Sequence, residues 1–206
     1  MPNIDTILME ANKYIKSQES LDLITKAYEY AKEKHSGQYR KSGEPYLVHV
    51  LHVGHILAQL SMSPVTIASG LLHDVIEDCD VTKEELEEEF GSDIATIVDS
   101  VTKIGNLEFK DEKEYLAANH RKIFIAMAND IRVIFVKLVD RLHNMRTLQF
   151  HSEEKQKKIA QETLDVYAPI AHRLGIAQIK NELEDLSFQY LHRDRYYEIA
   201  RLVEMR

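Results

Sequence analysis

Residues 131–139 read IRVIFVKLV, and whether this run is helix or strand decides the fold class. Its β-branched residues suit a buried strand, but the apolar positions continue at helical spacing through Leu142 and Met145. The run is therefore expected as part of a helix over 130–146, buried on most sides. Outward from it, seven glycines and four prolines in 206 residues are too few to punctuate a succession of short strands. Further helices are expected at 4–16, 20–35, 46–60, 64–77, 82–90, 92–103, 111–128, 153–172, 176–191 and 194–204, an all-α chain. Ser63-Pro64 sets a capping hydroxyl before a proline at the first helical position, and Thr82 with Glu85 matches a capping box. Gly70 falls inside the helix that Ser63 begins, which points to close backbone packing there. Loops are expected at 36–46 and 104–111.

Apolar residues at 44% and charged residues at 29% describe an ordinary globular chain, long enough to bury a core without staples. Cys79 is the single cysteine, so an intramolecular disulfide and a thiolate metal cluster are both excluded, and a reducing, cytoplasmic setting fits. The N-terminus lacks a basic segment followed by an apolar stretch, and no run of ~18 apolar residues is present to span a bilayer. The net charge is −8, of which the acid-rich segment from Glu77 to Glu89 carries −7. That balance argues against a nucleic-acid partner, which needs a basic face, but leaves room for one small phosphate-bearing ligand in a local basic pocket.

The chemistry concentrates in His73-Asp74-Val75-Ile76-Glu77-Asp78. If this stretch is helical, its four polar groups share one broad face, on a segment otherwise apolar from Val65 onward. Adjacent His and Asp can reach one cation, with further ligands drawn from elsewhere; His49 and Asp140, both in apolar helical stretches, are the candidates. A buried Asp140 needs either a metal or an ion pair, and Lys137 or Arg141 offers the second. His52 and His55 read as structural. Two imidazoles and two carboxylates suit Mn²⁺, Fe²⁺ or Zn²⁺. Glu77 and Asp78 are candidates for proton transfer, or else exposed helix-end acids. The loop 39–46, YRKSGEPY, offers two cations just before His49, and Asn144 and Thr147 follow Asp140 at helical spacing.

Taken together, RKSGEPYLVH at 40–49, LLHDVIED at 71–78, VTKIG at 101–105, NHRK at 119–122, DIRVIFVKLVDRLHNMRTL at 130–148 and YAPIAHRLGIAQIKNELEDLSFQYL at 167–191 resemble the hydrolase domain of Rel/SpoT-type alarmone enzymes. The resemblance implies an HD-superfamily helical fold and Mn²⁺-dependent removal of pyrophosphate from the 3′ position of ppGpp or pppGpp. It makes His49, His73, Asp74 and Asp140 the metal ligands and Glu77 and Asp78 the catalytic acids. It sets Arg40 against the guanine base, with Lys41, Ser42, Asn144 and Thr147 in the nucleotide pocket. It also implies a hydrolase domain over 1–175, with 176–206 leading toward a synthetase domain in cis. Two stretches depart from the family pattern. Val50-Leu51-His52-Val53-Gly54-His55 stands where the family usually reads Pro-Ile-Gln-Val-Ala-Gly, and Asn181 where many members carry Trp. The rival readings are an HD phosphohydrolase of another nucleotide and a non-catalytic alarmone-binding module.

Overall fold

The computed structural model describes residues 1–105 and 129–204. The helix expected at 111–128 and most of the loop expected at 104–111 lie outside the described residues. Among those described, regular structure is helical, and the β-type pairing is an isolated antiparallel bridge between Tyr39 and Pro45. The helices are α1 (Ile4–Ala11), α2 (Gln18–Lys34), α3 (Tyr46–Gln59), α4 (Pro64–Leu72), α5 (Val75–Asp78), α6 (Lys83–Phe90), α7 (Ser92–Gly105) and α8 (Ile131–Arg146). After a short 3₁₀ turn at Leu148–Phe150 come α9 (Glu153–Glu162), α10 (Ala168–Arg173), α11 (Ala177–Leu191) and α12 (Arg193–Glu204). The chain divides into two compact units, Met1–Asp140 and Arg141–Arg206. None of the described helices is long and apolar enough to cross a membrane.

Local chemistry starts the helices where the sequence predicts. The Ser63 side chain accepts from the Thr66 N–H with Pro64 in the first turn, and Thr82 and Glu85 close a reciprocal capping box. The β-branched run at 131–139 is helical: Asp130 accepts from the Arg132 N–H, and Val133, Ile134, Val136, Leu138 and Val139 are all buried. Burial on several faces overrides the weak helix propensity of valine and isoleucine. The Arg132 guanidinium also forks onto Asp93 at 2.6 and 2.8 Å, tying the start of α8 to the start of α7.

Three expected helices differ in extent. α1 stops at Ala11 instead of running to residue 16, and the turn that follows lets the Tyr14 hydroxyl donate to the Met62 carbonyl at 2.9 Å. The helix expected over 64–77 is interrupted at His73–Asp74, a break that shapes the site described below. In the second unit the helix expected over 153–172 contains a π turn at Thr163–Tyr167, closed by the Ala168 N–H on the Thr163 carbonyl. Pro169 has no N–H with which to continue an ordinary ladder, and the wider turn precedes it. That unit buries Leu142, Met145, Val166, Ile170, Ile179 and Leu183, and it sets Arg141 over the Tyr167 ring and 3.0 Å from Glu162.

The first unit is organised by the crossing of α3 and α4. A Cβ placed on Gly70 would collide with the Leu57 side chain, and one on Gly54 would stand 2.7 Å from Leu71 Cδ2. Each helix thus sends a leucine over a glycine of the other. Leu57 and Leu71 are completely buried, so neither can swing aside. Gly70→Ala should destabilise the protein by about 1–3 kcal/mol, because overpacking outweighs the roughly 1 kcal/mol of helix propensity that alanine gains. Urea unfolding checks this, and combining it with Leu57→Ala should cost less than the two single losses added together.

Candidate metal centre

The crossing of α3 over α4 sets His49, in the first turns of α3, beside His73, which caps the C-terminus of α4. Their Nε2 atoms are 3.3 Å apart. At His73 the helix ends: the ring turns back so that Nδ1–H donates to the Gly70 carbonyl at 2.8 Å, leaving Nε2 to face His49. Asp74 then takes φ −102° and ψ −2°, between the helical and extended regions, before α5 resumes for a single turn. The polar groups of 73–78 therefore do not share one continuous helical face, as the sequence spacing predicts. The break turns Asp74 inward, with Oδ2 3.0 Å from His73 Nε2 and 3.5 Å from His49 Nε2, and leaves Glu77 and Asp78 exposed.

Asp140, from α8, completes the group with Oδ1 3.4 Å from His49 Nε2 and 3.7 Å from His73 Nε2. Its other oxygen accepts from Lys137 Nζ at 3.0 Å. The choice between ion pair and ligand is thus no choice: one carboxylate oxygen faces the lysine and the other faces the imidazoles. His49, His73 and Asp140 are buried and form a cluster able to hold a metal. Three donor atoms separated by 3.3, 3.4 and 3.7 Å share a point about 2.0 Å from each, which is the length of a bond from zinc to imidazole or carboxylate. The donor set is that of a divalent-metal site. Neither His52 nor His55 joins the cluster.

Electrostatics point the same way. Burial disfavours charge on His73, but Asp74 and Asp140 more than offset it and lift its pKa to about 10. Burial likewise opposes ionisation of both aspartates, yet His73 and His49 hold Asp74 well below the usual carboxylate range, and Lys137 with the same histidines does so for Asp140. These carboxylates stay ionised in a desolvated site and attract a cation. Glu77 keeps one side to solvent, but partial desolvation and the charge on Asp74, opposed by Lys137, raise its pKa.

Tyr46 is a residue the sequence reading passes over. Its hydroxyl donates to Asp74 Oδ2 at 2.7 Å, and burial beside Asp74 pushes its pKa far above the usual phenol value. The signal was its position one turn before His49. The loop that holds Arg40, Lys41 and Ser42 is closed by bonds from the Arg40 N–H to the Glu44 carbonyl and from the Tyr46 N–H to the Gln38 carbonyl, with Gly43 at φ +84°. Arg40 lies over the Tyr46 ring, 5.8 Å from its centroid, which brings the loop to the rim of the cluster. Lys41 is exposed, and Ser42 Oγ donates to Glu44 at 3.3 Å. Asn144 and Thr147 belong to the second unit, where the Thr147 hydroxyl donates to the His143 carbonyl.

An HD-domain family model matches residues 27–177, a span containing every donor of the cluster. The chain belongs to the HD-domain family. Among curated relatives of this HD domain, a Myxococcus xanthus protein named GTP pyrophosphokinase is 57% identical over 86% of the chain and 24% of its own length. A Vibrio cholerae protein named guanosine-3′,5′-bis(diphosphate) 3′-pyrophosphohydrolase is 47% identical over 97% of the chain and 28% of its own length. The chain thus spans about a quarter of these relatives. A solved structure described as a metazoan ortholog of SpoT that hydrolyzes ppGpp superposes with a TM-score of 0.63 at 28% identity, covering 81% of this chain and 94% of that one.

Because metal binding must displace the proton that His73 carries up to about pH 10, affinity should rise as pH rises. Between about pH 6.5 and 8.5 we expect up to about tenfold tighter Mn²⁺ binding per pH unit, with one proton released per ion. Titration calorimetry in buffers of different ionisation heat measures that release; heats independent of the buffer would mean that His73 is neutral before the ion arrives.

Proposed function

We propose that the chain hydrolyses the 3′-pyrophosphate of guanosine alarmones, converting ppGpp or pppGpp and water to GDP or GTP and pyrophosphate. The observation that carries this reading is the convergence of His49, His73, Asp74 and Asp140, with the acidic pair Glu77 and Asp78 on the next turn at the solvent side. The names of the relatives supply the substrate class. Mn²⁺ is the ion that the family resemblance favours for these four donors. When bound, such an ion lowers the pKa of water and polarises a phosphoryl oxygen.

The chain's own residues do the rest. Tyr46 holds one oxygen of Asp74, and the Gly70 carbonyl holds Nδ1 of His73, so both side chains are oriented before any ligand arrives. Glu77, whose raised pKa lets it carry a proton more readily than an ordinary carboxylate, and Asp78 handle the proton that leaves the attacking water and the proton that the departing 3′-oxygen gains. As the water oxygen bonds to phosphorus, the bond to the 3′-oxygen breaks. The Arg40 guanidinium offers a flat cationic face for the guanine, and Lys41 and Ser42 offer a charge and a hydroxyl to the phosphates. Asn144 and Thr147 join the nucleotide contacts by motif position. In a longer cytoplasmic protein, residues 176–206 would lead from this hydrolase, over 1–175, toward a synthetase domain.

Incubation with ppGpp and Mn²⁺, followed by separation of the products, tests the reaction. GDP with intact pyrophosphate is expected, and chelation should stop it. Release of orthophosphate would favour an HD phosphohydrolase of another kind, whereas tight binding of ppGpp without turnover at saturating Mn²⁺ would favour a regulatory binding module. Asp74→Ala should lower turnover by at least about a thousandfold, since it removes a ligand to the ion that activates the water; full activity in that variant would sink the ligand assignment.

A further inference from the structure

Beside the metal cluster, His35 and Gln38 form a polar pair that no step above uses. His35, just past the end of α2, is 3% exposed, and its ring lies parallel to that of Tyr46 with centroids 4.7 Å apart and planes at 13°. Its Nδ1 stands 2.7 Å from Gln38 Oε1. On the other side of the amide, Gln38 Nε2 donates to the Asp78 carbonyl at 2.8 Å. With Nδ1–H donating to Oε1, the NH₂ group can face only Asp78, so the histidine selects which way round the amide sits.

The acceptor gives this pair its importance. α5 is one turn long, and the carbonyls at the end of so short a helix have no partner within it. Two residues later Asp80 adopts φ +53°, a left-handed conformation that costs a residue with a side chain more than it costs glycine. A single turn followed by a strained residue has little stability of its own. This is nevertheless the segment that carries Glu77 and Asp78.

We propose that Gln38, oriented by His35, is a positioning residue for the Glu77–Asp78 pair, clamping the main chain at Asp78 so that both carboxylates keep one placement beside the metal cluster. Through the stack of His35 on Tyr46, the clamp adjoins the hydroxyl that holds Asp74. The inference rests on the reading of Glu77 and Asp78 as the proton-handling acids.

Two variants of the full chain, loaded with Mn²⁺, test it. Gln38→Glu keeps the shape and the acceptor but loses the donor; Gln38→Met loses the donor without adding charge. Both should lower kcat for ppGpp by about 10–100-fold while KM and the Kd for Mn²⁺ stay within about threefold. Amide hydrogen exchange in a peptide covering 75–81 should quicken, with the rest of the first unit unchanged. Unchanged kcat, unchanged exchange at 75–81, or a kcat loss matched by an equal loss of Mn²⁺ affinity would each overturn the proposal. If the parent protein leaves ppGpp intact while exchange quickens in both variants, the substrate reading fails and the clamp stands. If the parent protein turns over ppGpp and the variants match it in rate and exchange, the clamp alone fails.

Discussion

Two carboxylates, each within 4 Å of the same two imidazoles, three of the four groups buried, form an arrangement that a helical core has no packing reason to make. Lys137 answers one of the two negative charges, through one oxygen of Asp140, and the proton on His73 answers the other. A divalent cation would take the place of that proton, and much of the first unit is arranged to keep those donors in place for it. α3 brings His49, the end of α4 brings His73 and Asp74, and α8 brings Asp140, itself anchored at its start by the Arg132 fork onto Asp93. The orienting bonds from Tyr46 and to the Gly70 carbonyl serve the same end.

Reactivity is graded from this buried centre outward. The metal-holding groups are desolvated and their protonation states are fixed by one another, whereas Glu77 and Asp78 stand at the solvent side, where protons can be exchanged with water. The cations of the 39–46 loop lie at the rim, on a short hairpin-like turn instead of a helix. Under the proposed function, an alarmone would meet the more solvated charge first and the desolvated charge last. That order suits a site that must admit a highly charged ligand and then act on one bond of it.

The helical class and the caps at Ser63 and Thr82 were legible in the sequence, because each depends on spacing or on local hydrogen bonding; the four clustered donors were singled out by residue type and by the family resemblance instead. Even the valine-rich run of α8 was readable, since its apolar positions outlast the length of a strand. The break at His73–Asp74 was not, because nothing in the residue order marks it; it appears only once the His73 ring is seen to fold back on the Gly70 carbonyl. His35, Gln38 and Tyr46 escaped for a related reason. Gln38 and Tyr46 bond to residues 40 and 28 positions away, where periodicity carries no information, and His35 gains its place only through Gln38 and Tyr46. Pro169 was visible in the sequence, but the π turn it accompanies was not.

The glycine at each side of the α3–α4 crossing has a consequence for precision. His49 precedes Gly54 by five residues, and His73 follows Gly70 by three, so each imidazole hangs within about a turn and a half of the point where a leucine of one helix seats on the bare main chain of the other. The gap between the two rings is thereby tied to how closely a buried leucine of each helix seats on the glycine of the other. Wear and variation elsewhere in the core can be absorbed by repacking; at this crossing they would be transmitted directly into the bite of the two histidines, which makes the least chemically distinguished residues of the domain the gauge by which its metal centre is set.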